Sequence, residues 1–220
     1  MRTAKTVLTV IQERGKQKKP IERVYKLLFN RELYLNAYAK LYPNNGAMTK
    51  GVTDETVDGM SIQKIDRMIE ILREEKYQWK PARREYIKKK NGKKRPLGIP
   101  VWGDKVLQEV MRQILEAYYE PQFSEHSHGF RPNRGCHTAL QEIQVWKGTR
   151  WFIEGDISQY FDTIDHKILL EILARNIHDG RFIRLVSNML EAGYLEEWKF
   201  NQTISGVPQG GVISPILANI

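Results

Sequence analysis

The stretch Phe152–His166, FIEGDISQYFDTIDH, joins a bulky, partly β-branched run to an acidic turn and then to a helix start. Bulky and branched side chains favour extended backbone, so Trp151–Ile157 is read as a strand. In that geometry Phe152, Glu154 and Asp156 share one face and Trp151, Ile153 and Ile157 the other. Asp165 then caps a helix carrying Ile168, Leu169, Ile172 and Leu173. An acid at the end of a hydrophobic strand can hold a divalent metal beyond the sheet edge. On its own, Asp156 is read in preference as a helix-capping or turn residue.

Outward from this stretch, the elements are mixed. Residues 21–42 place Val24, Tyr25, Leu28, Leu35, Tyr38 and Leu41 at helical spacing, and residues 43–59 read as a loop. Ser61 caps a helix with Ile62, Ile65, Met68, Ile69 and Leu72 on its face. Asn91-Gly92 between two short extended pieces predicts a β-hairpin with lysines on both arms. Asp104 is the expected N-cap of the next apolar helix, which ends at Pro121. A short helix is expected over 138–146, another over 182–190, and an extended pair over 198–206. Ser214-Pro215 reads as a further helix start, with Ser at the cap. The class is α+β, preceded by a basic, mostly helical region.

Charge is distributed unevenly over the 220 residues. The overall net of +9 combines +13 in residues 1–100 with −4 in residues 101–220. Between Lys76 and Arg95, ten of twenty residues are basic and only Glu85 opposes them. Such a field attracts polyanions, nucleic acid above all; the bland alternative is a solvated basic surface or an acidic-membrane patch. No apolar run approaches the roughly 20 residues that cross a bilayer, and a single cysteine, Cys136, excludes a disulfide framework. Gly206–Gly211, GVPQGG, brings backbone and the Gln209 amide close to a ligand, or is simply a tight turn before a helix. His126, His128, Cys136 and His137 lack a structural-zinc spacing, and loop hydrogen bonding is the preferred reading.

Five ordered blocks carry a resemblance: GAMTKGVTDETVDGMS (46–61), RPLGIP (95–100), HGFRPNRGCHTAL (128–140), FIEGDISQYFDTIDH (152–166) and SGVPQGGVISPILANI (205–220). Together they resemble group II intron-encoded reverse transcriptases (maturases). The resemblance implies the fingers and part of the palm of a right-hand polymerase: a helical extension over 1–45, fingers over 46–150 with the basic hairpin at 80–100, and a partial palm over 151–220. It implies an RNA-directed DNA polymerase using Mg²⁺, with Mn²⁺ as the alternative, on intron RNA, RNA template, DNA primer or target, and dNTPs. Asp156 matches a catalytic carboxylate, with the Ile157 carbonyl completing one side of the metal site. Lys89 and Arg95 match triphosphate ligands, Phe161 the residue under the incoming sugar, and Gln209 the residue beside the nucleotide. Lys88, Lys90, Lys93, Lys94 and Arg131 match the template side, Arg131 also ordering the fingers–palm junction.

The family's aromatic-x-Asp-Asp block is absent from these residues, since no Asp-Asp dipeptide occurs. The sequence is therefore expected to be an N-terminal portion, inactive alone and prone to self-association through the cut palm. A cytoplasmic ribonucleoprotein setting is implied, without membrane partners. The alternatives are an intron-RNA-binding module that assists splicing and a reverse transcriptase domesticated for defence.

Overall fold

The computed structural model describes residues 2–88, 92, 94–207 and 210–220. Its centre is helix α4 (Trp102–Tyr119), buried on nearly every side. Pro100 keeps the chain extended before it, and Val106, Leu107, Val110, Met111, Ile114, Leu115 and Tyr118 supply a continuous apolar surface. Helices α1 (Ala4–Lys16) and α2 (Arg31–Leu41) pack against α4, α3 (Ile62–Arg73) packs against α2, and α7 (His166–Asn176) and α8 (Gly180–Leu190) join the same core.

Several local readings hold. The Ser61 hydroxyl accepts from Lys64 N at 3.2 Å and starts α3, and Asp165 accepts from Ile168 N at 3.0 Å and starts α7. Strands β2 (Ala82–Lys88) and β3 (Lys94–Ile99) form the antiparallel hairpin; its turn residues, Asn91 among them, lie partly outside the described residues. β2 then pairs in parallel with β5 (Tyr194–Glu196), which pairs with β6 (Lys199–Asn201), giving the order β3-β2-β5-β6. A two-residue parallel pair, β1 (Ile21–Glu22) with β4 (Ile177–His178), ties the N-terminal region to α7.

Other readings are corrected. Residues 21–42 are not one helix: a 3₁₀ helix over Val24–Phe29 precedes α2. Buried Asn30 makes the break, adopting extended backbone, accepting from Glu32 N at 3.0 Å and donating to Arg2 O at 3.0 Å. Asp104 is no N-cap, because α4 begins two residues earlier behind Val101. The helix expected over 138–146 is α5 (Cys136–Gln144), where Gly135 N donates to the Thr138 hydroxyl at 2.9 Å. The extended pair lies at β5–β6 rather than 198–206, turning through Glu197 and Trp198, both left-handed at φ 49° and 64°. In α9 (Ser214–Asn219) the cap is Ile213, with Ser214 already helical.

The strand expected over 151–157 does not form. The segment is exposed and irregular up to α6 (Tyr160–Thr163), since an extended chain needs a neighbouring ladder and none lies beside it among the described residues.

Helices α1 and α4 touch backbone to backbone. A Cβ built on Gly15 stands 2.1 Å from Tyr118 O. Gly15→Ala should therefore force the helices apart and cost on the order of 1–3 kcal/mol in urea denaturation; unchanged stability would show that α1 is not seated this way.

Candidate functional site

The loop between β6 and α9 is held at both ends by close backbone approach. Gly206, at φ +83°, would place a Cβ 2.8 Å from Phe161 O and Asp162 O. Gly206 N donates to Ile164 O at 2.8 Å and Val207 N to Phe161 O at 2.7 Å. His166 Nε2 lies 2.7 Å from Gly206 O, so that nitrogen carries the proton. At the other end Gly210, at φ +104°, would place a Cβ 2.7 Å from Leu97 Cδ1 and 2.8 Å from Gly98 O. Only glycine tolerates both the left-handed backbone and this proximity. Pro208 and Gln209 lie outside the described residues, but the residues around them join α6 to β3.

Side chains alternate across a strand, so the register sorts the hairpin's two faces. Arg83, Glu85 and Ile87 share one with Ile99, Leu97 and Arg95; Arg84, Tyr86 and Lys88 share the other with Gly98, Pro96 and Lys94. Arg95 thus stands on the face whose Leu97 meets Gly210, the face of the loop. Lys88 and Lys94 are exposed on the opposite face, and Lys94 Nζ lies 5.9 Å from the Tyr86 ring centre. Lys89, Lys90 and Lys93 lie outside the described residues.

Asp156 and Ile157 are exposed in the irregular segment before α6. Phe161 is half-buried, its ring edge-on to Phe130 with centres 6.2 Å apart. Among the described residues no cluster of three His, Cys, Asp or Glu side chains could hold a metal ion. Asp156 alone does not make a divalent site, which takes several oxygen ligands.

Arg131 is 8% exposed and turned inward. Its guanidinium donates to Glu120 at 2.9–3.1 Å, to Ser124 O at 2.5 Å and to Ser127 O at 2.8 Å, lying over Phe123. Its donors are engaged within this loop, and it orders the block around Phe123. His126 and His128 both engage Glu142, and His128 also meets Thr138 at 2.8 Å. These interactions hold the Glu142 carboxyl below its ordinary pKa.

Three residues that position the site were not singled out from sequence for that role. Gln108 accepts from Val212 N at 2.9 Å, fixing the end of the glycine loop. Lys105 donates to Gly46 O at 3.3 Å and Thr49 O at 3.0 Å, holding residues 46–49 beside β3; burial, with the Arg83 charge, lowers its pKa. Asp104 accepts from Tyr77 Oη at 2.7 Å and Lys80 N at 3.0 Å, fixing the entry to β2. The available signal was a polar stripe interrupting an otherwise apolar helix.

A polymerase-like hairpin facing a glycine-framed loop and an acidic turn defines the class, and comparison with known proteins fixes it. The chain belongs to the reverse transcriptase (RNA-dependent DNA polymerase) family, whose model matches residues 87–220. It is 51% identical over 200 residues to the group II intron-encoded protein LtrA of Lactococcus lactis subsp. cremoris, covering 90% of this chain and 33% of that protein. A 91 kDa protein in the cob intron of Schizosaccharomyces pombe is 47% identical over 225 residues, covering 99% of this chain and 28% of the relative. The chain thus spans a third or less of the length of these relatives. In a solved Cas6-RT-Cas1–Cas2 complex, one chain superposes with a TM-score of 0.58 at 20% identity, covering 89% of this chain and 33% of that one. That likeness supports the α+β fold of fingers and palm. The motif-based resemblance to intron-encoded reverse transcriptases is borne out.

Burial pushes the Asp104 carboxyl up to about 6 from 3.8, against the opposing pull of Tyr77 and Lys80. The folded state therefore holds this proton more tightly than the unfolded chain. Its contribution to stability is full below about pH 4 and lost as pH rises through about 6, a swing on the order of 2–3 kcal/mol. Asp104→Asn should remove that swing: relative to the native chain, the variant gains stability in urea between pH 4 and pH 7. Parallel pH profiles would contradict it.

Proposed function

We propose that this chain supplies the fingers and the first part of the palm of an RNA-directed DNA polymerase of the group II intron type, copying intron RNA into DNA. The division is a helical extension over 1–45, fingers over 46–150 and palm over 151–220. The observation that supports the reading is the approach of Gly210 to Leu97, on the hairpin face that carries Arg95, and of Val207 N to Phe161 O; the reading sets Arg95, Phe161 and Gln209 about one nucleotide. A nucleotide's triphosphate, sugar and base need those three groups on one side of a common space.

Reverse transcriptases work with divalent metal ions, and Mg²⁺ is the ion we assign. Asp156 and the Ile157 carbonyl contribute part of its ligand set, and the described residues do not complete it. The chain's own part is to bind and orient: Lys89 and Arg95 on the triphosphate, Phe161 against the sugar, and the remaining hairpin lysines on RNA. The partners are accordingly intron RNA, RNA template, DNA primer and dNTPs, in a cytoplasmic ribonucleoprotein.

In primer extension on an RNA template by a protein containing this chain, Asp156→Asn should lower dNTP incorporation roughly a thousandfold while leaving RNA affinity unchanged. Undiminished incorporation would refute the assignment. A normal RNA affinity with no native extension activity would favour a splicing-assistance module instead.

Neutralising Lys88, Lys89, Lys90, Lys93 and Lys94 together should weaken RNA binding. It should also flatten log K against log[salt] by roughly 0.7–0.9 for every phosphate that the hairpin no longer neutralises. An unaltered slope would remove the hairpin from the RNA surface.

A further inference from the structure

One face of the four-stranded sheet is turned away from Arg95 and Leu97. Arg84, Tyr86 and Lys88 of β2 stand on it beside Gly98, Pro96 and Lys94 of β3. The pairing carries the same face on to Tyr194 and Glu196 of β5, then to Asn201 and Lys199 of β6. Side-chain contacts agree with this sorting. The Arg84 guanidinium lies 3.7 Å from the Tyr194 ring centre, and Tyr86 Oη donates to Glu196 at 2.5 Å. Among the described residues, four cations on this face (Arg84, Lys88, Lys94 and Lys199) meet one carboxylate, Glu196, already held by Tyr86. Glu85 is on the other face, paired with Arg83. No carboxylate pairs with Arg84 among the described residues.

Two recesses open beside Arg84. One, of about 360 Å³, lies between Arg84, Tyr194 and the segment 202–206, where Gln202, Thr203 and Ser205 supply an amide and two hydroxyls. Asp162 also lines it and is already engaged. The other, of about 400 Å³, opens where β5 ends and β2 runs on without it, with Tyr86, Glu196 and Trp198 in its wall. Tyr86 is 46% exposed and Trp198 94%, the latter on the left-handed turn between β5 and β6. Exposed rings among cations form a platform on which bases stack while the charges follow the phosphates. Arg84, Tyr86 and Lys88 recur about 7 Å apart along β2, so an extended strand meets them in succession. A duplex keeps its bases inside the stack, whereas a single strand offers them to rings and recesses. The amide and hydroxyls of the first recess also suit a ribose 2′-hydroxyl, which DNA lacks.

We propose that this outer face binds a single-stranded segment of RNA. Its bases stack on Tyr86 and Trp198 and enter the recess beside Arg84 and Tyr194, and its phosphates lie on Lys88, Lys94 and Lys199. The inference rests on the RNA-binding part of the proposed function and gives it a second surface, apart from the face that carries Arg95.

The test measures, by fluorescence anisotropy, binding of a labelled, unstructured RNA dodecamer to the full chain. The same sequence is measured as DNA and as an RNA duplex. In Tyr86→Leu/Trp198→Ala, two exposed positions, the Kd for single-stranded RNA should rise about tenfold or more. Duplex affinity and the slope of log K against log[salt] should stay as in the native chain, because stacking is lost and phosphate contacts are not. Loss of the hairpin lysines alters that slope instead, so the two contributions are read separately. In Gln202→Ala/Ser205→Ala the preference for RNA over DNA should shrink severalfold. In the ¹⁵N-indole spectrum the Trp198 resonance, identified by its loss in Trp198→Phe, should shift saturably with the RNA while that of buried Trp102 stays fixed. Native affinity in the folded Tyr86→Leu/Trp198→Ala variant, or a Trp198 resonance that RNA leaves unmoved, would overturn the proposal and leave the hairpin's RNA role standing. Equal affinity of the native chain for RNA and DNA would overturn the assignment of RNA. Absence of any RNA binding by the native chain would overturn both this surface and the reading it rests on.

Discussion

A stripe of polar side chains on the most buried helix holds the molecule's loops in register. Asp104, Lys105 and Gln108 lie in the first two turns of α4, each nine-tenths or more buried, and each grips a different segment. Asp104 takes the linker into β2, Lys105 the loop before residue 50, and Gln108 the end of the glycine loop. One turn on, Glu109 joins Arg112 at 2.6 Å and Lys40 at 3.4 Å, locking α2 to the same helix. Apolar replacements could fill this volume with little loss of packing, but backbone groups on three loops would then be left unmet. The stripe thus gives up some core stability to fix where the loops stand.

That arrangement explains what the sequence disclosed and what it withheld. Ser61 and Asp165 act within three residues of themselves, so their caps were legible in one dimension. The Lys-flanked hairpin was legible for the same reason. Asp104 has the same local signature, an acid ahead of an apolar helical face, yet its partners are Tyr77 and Lys80 N, more than twenty residues earlier. Local pattern could not show that a distant linker had claimed its oxygens. Residues 21–42 misled differently: a 3₁₀ turn buries Val24, Tyr25 and Leu28 almost as an α-helix would, hiding the break at Asn30. Of the site, the motif loops were visible, whereas the side chains that pin them were not, because pinning is tertiary.

The two glycines of the loop couple regions far apart in sequence. With Gly210 lying against Leu97 and Gly98, the loop cannot move toward β3, and with Gly206 against Phe161 and Asp162 it cannot sink toward α6. Backbone packing of this kind is stiff, because no rotamer change relieves it. A displacement of the hairpin therefore carries Gly210 with it, and a displacement of α6 carries Gly206. On the opposite face of the hairpin, Lys88 and Lys94 are exposed.

Asp156 sits in a different energetic situation. Its neighbours include Trp151, 86% exposed, and Ile153, 94% exposed, in a segment without regular backbone pairing. Covering side chains of that size yields roughly 1.5–3 kcal/mol each, and a strand ladder supplies partners for the backbone as well. Any surface that pairs with residues 151–157 consequently gains several kcal/mol, and it fixes Asp156 as it does so. A metal that binds the ordered carboxylate draws on the same equilibrium, since the ordering cost is met once for both events. Under the proposed assignment of Asp156 to a divalent ion, metal affinity and burial of the apolar segment are then two readings of a single transition: whatever strengthens the cover would strengthen metal binding, and the metal in turn would strengthen the cover.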